Sequence, residues 1–211
     1  MTLSAWCPRC RERLEPAPPD GECPHHGTQP PLWRPEATSY DAFTDHLRLA
    51  DGFPTYLPWP LAAGWRVSDF GVVAGTSGRA AATVTCCTGA TEADGRVDLL
   101  VVAEEAGVGL GGRCAGLPSA DPGPGFGQGP PAVRIRIGSQ GVPLWPVSTS
   151  TAAGELDRSV VAGEAGGRWL WVVLLPASAV LLLKDELILR DVSGDGPHLV
   201  AMPIDGPGPV W

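Results

Sequence analysis

The chain has 211 residues, 44% apolar and 18% charged, a globular composition large enough for one sizeable core or for one domain with a small appendage. Its formal charge of -8 repels phosphate backbones and anionic membranes unless the basic residues cluster. They do not cluster, since residues 1–35 carry four Arg against four acids, so neither nucleic acid nor a membrane is the favoured partner.

The opening stretch, MTLSAWCPRCRER, lacks the apolar run of a signal peptide, and the expected location is cytoplasmic. It leads into CPRCRERLEPAPPDGECPHHG, Cys7 to Gly27. A CxxC turn places two sulfurs on one side of an ion, and a second turn supplies the other pair. Cys7 and Cys10 form the first turn, and Cys23 with His26 repeats its two-residue gap. Pro16, Pro18 and Pro19 prevent a helix between the turns, so a short ribbon doubling back is expected. His25 competes with His26 for the fourth place but leaves only one intervening residue, and Gly27 suits the reversed backbone after His26. The cluster therefore reads as a small Cys3His zinc ribbon, with zinc in a structural role. The adjacency of Cys86 and Cys87 and the absence of a secretory signal argue against a disulfide framework.

TSYD, Thr38 to Asp41, fits a capping box, and Tyr40, Phe43, Leu47 and Ala50 then share one helical face that Gly52 can end. YLPWPLAAGW reads as an extended connector. Strand patterns follow in WRVSDFGVV, in RAAATVTCC, in the continuous apolar run VDLLVVA of a strand covered on both faces, and in VRIRIG, where Val133, Ile135 and Ile137 point inward. SQG offers a turn into VPLWPV, and RSVVAG pairs with RWLWVVLL across EAGG. The apolar run Trp169 to Leu183 is too short for a membrane helix and is broken by Pro176, so a buried strand pair is expected. From Ala179 to Val192 strand-turn-strand with a turn at KDE is favoured over a helix.

AEEAGVGLGGRCAGL carries GxGxxG at Gly107, Gly109 and Gly112 after a good strand. The following AGLPSADPGPGFGQGPP cannot continue as the helix a dinucleotide site requires. Residues 106–131 still form a loop long enough to be functional, with Glu104, Glu105, Arg113, Cys114 and Asp121 as its candidates. Adjacent strand residues face opposite ways, so Glu104 and Glu105 cannot share one pocket. His46 and His198 read as surface or packing residues.

CPRC with CPHHG, PWPLAAGW, AEEAGVGLGGRCAGLPSADPGPGFG and GEAGGRWLWVVLLPASAVLLL together resemble a family of uncharacterised actinobacterial proteins. The resemblance implies a soluble protein with an N-terminal zinc-ribbon-like segment, and implies no activity. The expected fold is α+β: a mostly antiparallel sheet with one or two helices, preceded by the ribbon. The expected division is a ribbon at 1–35, a connecting helix at 36–52, a β-rich domain at 53–195 and a Pro/Gly-rich tail at 196–211. Trp6 and Trp33 could dock the ribbon onto the main domain. Two functional readings follow. The first is a non-enzymatic binding or regulatory module for a protein or small molecule. The second is an enzyme, such as a hydrolase, with a pocket under loop 106–131 near Glu104 or Glu105.

Overall fold

A computed structural model describes residues 3–15, 20–75, 78–149, 157–185, 187–195 and 202–211. His198 and the prolines between the two knuckles lie outside the described residues. The chain forms strands β1 (Leu3–Trp6), β2 (Gly21–Cys23), β3 (Gly27–Gln29) and β4 (Leu32–Pro35), then helix α1 (Tyr40–Ala50). Strands β5 (Tyr56–Pro58), β6 (Arg66–Ala74), β7 (Ala80–Thr91) and β8 (Gly95–Glu104) precede a six-residue helix α2 (Leu110–Ala115). Strands β9 (Val133–Ile137), β10 (Gln140–Pro146), β11 (Ser159–Ala165) and β12 (Arg168–Leu175), a 3-10 helix (Ala177–Asp185) and β13 (Ile188–Asp191) complete it. This is the expected α+β architecture, dominated by one large, mostly antiparallel sheet.

Eleven strands form that sheet in the order β1-β4-β6-β7-β8-β12-β11-β10-β9-β13-β5, while β2 and β3 make a separate hairpin. Among the named strands, only β9 and β13 pair in parallel. The segment 1–35 contributes β1 and β4 to one end of the large sheet. Residues 12–14 lie along the outer side of β1, with Leu14 N donating to Ala5 O at 3.1 Å and Cys7 N to Glu12 O at 2.9 Å. At the other end the sheet curls until β5 crosses its own middle. The hydroxyl of Thr83 donates to Pro54 O and that of Thr85 to Tyr56 O, so β7 side chains hold an edge strand that main-chain pairing leaves open. The supposed connector thus begins as a strand; its Pro58 is tolerated there because an edge strand need not donate on both sides.

Both faces of the sheet are covered, which is why β8 and β12 read as continuous apolar runs. On β8, Leu99 and Val101 enter one core with Ile135, Leu144, Val172 and Leu189. Leu100 and Val102 enter the other with Leu110, Cys114, Trp171 and Trp211. Trp169 and Trp171 share that second face, as i and i+2 positions of a strand must. Trp33 packs against the ribbon residues and against two of the main clusters, tying them together. The β11–β12 hairpin turns at Gly166 and Gly167, both at positive φ (59° and 77°), as a two-residue primed turn requires.

The cap of α1 and residues 179–185 also differ from expectation. The N-cap of α1 is Ser39, whose Oγ accepts from Ala42 N at 3.2 Å, because the Thr38 hydroxyl instead donates to Ser68 O at 2.7 Å. Ala179 to Asp185 is helical rather than a strand: Ala179 and Leu183 are buried while Leu181, which would share their face in a strand, is exposed. Trp169 to Leu183 is therefore a strand followed by a 3-10 helix, and no helix among the described residues is long and apolar enough to cross a membrane.

His46 on α1 is a packing residue. It is fully buried, stacks on Phe43 at 5.5 Å and meets Thr55 Oγ1 at 3.3 Å. Burial disfavours its cation and lowers its pKa to about 3. The folded value lies below the unfolded value of 6.5, so the unfolded chain takes up the proton first. Stability is then fully present above pH 6.5 and is lost progressively as pH falls toward 3. Urea titrations across that window should show a smaller loss for His46→Gln than for the native chain; equal slopes would remove His46 as the cause.

Candidate metal centre

β1 delivers the chain into the first knuckle, Cys7-Pro8-Arg9-Cys10. The second knuckle is the turn of the β2–β3 hairpin, where Cys23 pairs with Gly27 and His26 N donates to Cys23 O at 3.3 Å. Gly27 has φ of 64°, the reversed backbone expected of it. Leu14, Ala5, Cys7 and Cys23 form a small apolar cluster beneath the two turns.

The four donor atoms of Cys7, Cys10, Cys23 and His26 lie within 4.8 Å of one another and could hold one metal ion. His26 Nδ1 stands 3.6 Å from Cys7 Sγ and 3.5 Å from Cys23 Sγ, and Cys10 Sγ stands 3.5 Å from Cys23 Sγ. The His25 ring is outside the group, exposed, with Nε2 at 3.7 Å from Glu12 Oε1. Burial pushes the Cys7 thiol up to about 12, opposed by the Arg9 N–H that points at its sulfur from 3.4 Å. A divalent cation reverses that balance, since a coordinated thiol is deprotonated outright.

Arginines fasten the knuckles to the rest of the molecule. Arg9 donates from Nη2 to Gly107 O at 2.7 Å and from Nε to Val108 O at 3.3 Å, both in the glycine loop. Arg113, buried on α2, donates to Cys7 O and, at 3.5 Å, to Trp211 O. Burial lowers the Arg113 pKa to about 10, still charged at neutral pH. The Trp211 ring is buried between Arg34, 3.9 Å from its centroid, and Arg113, at 4.8 Å. Its indole donates to Asp69 Oδ2 at 2.9 Å, and the same carboxylate is gripped by the Arg34 guanidinium through Nε and Nη2. No spacing rule reveals this network, because its members are brought together over as many as 142 residues of sequence.

The loop candidates have structural partners. Glu104 is buried and accepts from Leu110 N at 2.8 Å and Gly111 N at 3.2 Å, so its carboxylate caps α2. Burial raises its pKa to about 7, with these two N–H groups opposing. The Trp171 indole also favours the charged form, although its nitrogen has no well-formed hydrogen-bond partner. The glycine motif does form a short helix, but Glu104 occupies the N–H groups that a phosphate would use. Glu105 follows the end of β8 and is exposed. Asp121 accepts from Gly107 N at 3.0 Å and from Trp169 Nε1 at 2.9 Å, and Cys114 is buried with its thiol pushed up to about 12 by burial. Phe126 packs edge-on against Trp145 and Trp169, closing the loop onto the sheet.

No curated protein and no solved structure matches the chain. The model of one family does match, over residues 1–210, and the chain therefore belongs to the family of unknown function DUF6758.

Proposed function

We propose that this chain is a zinc-stapled, non-enzymatic binding or regulatory module that works in the cytoplasm on a protein or small-molecule partner. The donor geometry carries the reading. Zinc bonds of about 2.3 Å to sulfur and about 2.0–2.1 Å to nitrogen put neighbouring donors of a tetrahedron about 3.4–3.8 Å apart. Three of the six donor separations, 3.5, 3.5 and 3.6 Å, fall in that range, and all six are within 4.8 Å. Three thiols and an imidazole favour zinc over the hard, oxygen-seeking cations. Four protein ligands leave no open position for a reacting water, so the ion's role is to hold the knuckles in shape. Cys86, Cys87 and Cys114 are free and buried, in keeping with a reducing compartment.

Elemental analysis of the purified protein should find zinc near one equivalent per chain. Cys10→Ser should lose most of it, and His25→Ala should keep it. Full zinc in the Cys10→Ser protein, or loss of zinc in the His25→Ala protein, would remove this ligand set.

A further inference from the structure

A cleft of about 530 Å³ opens between the first knuckle, the end of α1, the adjoining ends of β6 and β7 and the start of the glycine loop. That volume lies in the range of small-molecule sites. Three arginines line it, from segments far apart in sequence: Arg9 and Arg79, both exposed, and the half-buried Arg168. Asp51 and Glu105 line it too, yet among the described residues neither pairs with any of the three arginines. On a chain of formal charge -8, a cleft with more cations than anions runs against the overall field.

Few of the available donors are used. A guanidinium carries five N–H groups. Arg9 directs Nε and one Nη2 N–H to the loop carbonyls, which fixes its plane at the cleft wall. Arg168 directs Nη1 to Gly166 O at 3.2 Å and lies on the Phe53 ring at 4.6 Å, while its Nε is sealed from solvent with no partner. The Arg79 side chain has no partner among the described residues. Planar forks of this kind match the paired oxygens of a carboxylate or phosphate, and a ring-stacked, backbone-anchored arginine loses little freedom on binding.

We infer that this cleft binds a small anion, a carboxylate or a phosphate ester, held between Arg79, Arg168 and Arg9. The inference deepens the reading of the chain as a binding module by naming its ligand class. Arg79 supplies the free fork, and Arg9 links the site to the first knuckle.

Isothermal titration of the full-length, zinc-loaded protein at low ionic strength with inorganic phosphate and, separately, with succinate tests it. At least one probe should bind saturably, and the better probe tells a phosphorylated from a carboxylated ligand. Arg79→Gln should weaken that binding about tenfold. Arg134→Gln, an exposed arginine outside the cleft, should leave it unchanged. Saturable binding of neither probe, undiminished binding by the Arg79→Gln protein, or an equal loss in both variants would overturn the assignment. Zinc content measured on the same samples keeps the two proposals apart. Failure to bind with zinc present counts against the cleft alone, and anion binding by a chain purified without zinc counts against the metal alone.

Discussion

Stripping the metal with a strong chelator is expected to free residues 7–29 while most of the large sheet stays folded. The apolar cluster under the knuckles consists of Ala5, Cys7, Leu14 and Cys23, with Cys10 and Trp33 packed beside it. Burying so few side chains yields roughly 1.5–3 kcal/mol each at best. Ordering a backbone costs about 1–2 kcal/mol per residue, so some twenty residues cannot hold their shape on burial alone. Structural zinc supplies about 10–16 kcal/mol in small ribbons. The two main cores take none of their buried residues from the knuckles. The effect on them passes through Arg113, which loses Cys7 O and is left with a buried, unmet donor costing roughly 1–3 kcal/mol. The main thermal transition should therefore drop by roughly 5 °C. Limited proteolysis should cut within Cys7–Leu14 or Gly21–Gln29 only after chelation. A single transition in which the sheet melts together with the knuckles would show that the metal supports the whole fold.

Trp211→Ala should be the most damaging single substitution outside the metal cluster. It removes a buried ring, the indole bond to Asp69 and the stacking of two guanidiniums at once. Large-to-small replacement of a buried aromatic costs about 3–5 kcal/mol. For a chain of this size that lowers Tm by roughly 10 °C. Trp211→Phe keeps a smaller aromatic face but not the N–H to the Asp69 carboxylate and should lose about 1.5–3 kcal/mol. Paired urea and thermal unfolding of the two variants gives the comparison; an alanine variant within a degree of the native chain would mean that the C-terminal segment is not anchored by this ring.

What could be read from the sequence was local. The spacing within each knuckle shows which four donors can converge, because two intervening residues are enough to turn a chain. Gly166 and Gly167 mark their hairpin, and the unbroken run from Val97 to Ala103 marks a strand covered on both faces, since both properties reside in adjacent residues. What escaped the sequence was decided at long range. Tyr56 to Pro58 is a strand because it pairs with β13, far along the chain, and the Thr85 hydroxyl holds the Tyr56 carbonyl. Thr38 leaves the N-cap to Ser39 because a carbonyl on β6 claims its hydroxyl. Glu104 read only as one candidate beside the long loop, and its real partners are N–H groups on a helix that the glycine-rich composition hid. The tail composition gave no hint that Trp211 is locked between arginines from β4 and α2.

The strip of residues 12–14 along β1 has a consequence for colloidal behaviour. A strand with unpaired N–H and C=O groups is a template on which another chain can grow, and folded proteins suppress such templates. Here one end of the sheet is stitched down by threonines on β7, and the other is shielded by backbone from Glu12 to Leu14, which lies between the two knuckles. The second shield lasts only while the knuckles keep their shape. If the cluster holds zinc as proposed, losing the ion would bare an unpaired row on Leu3–Trp6, and the protein is then expected to self-associate as its N-terminal segment unfolds.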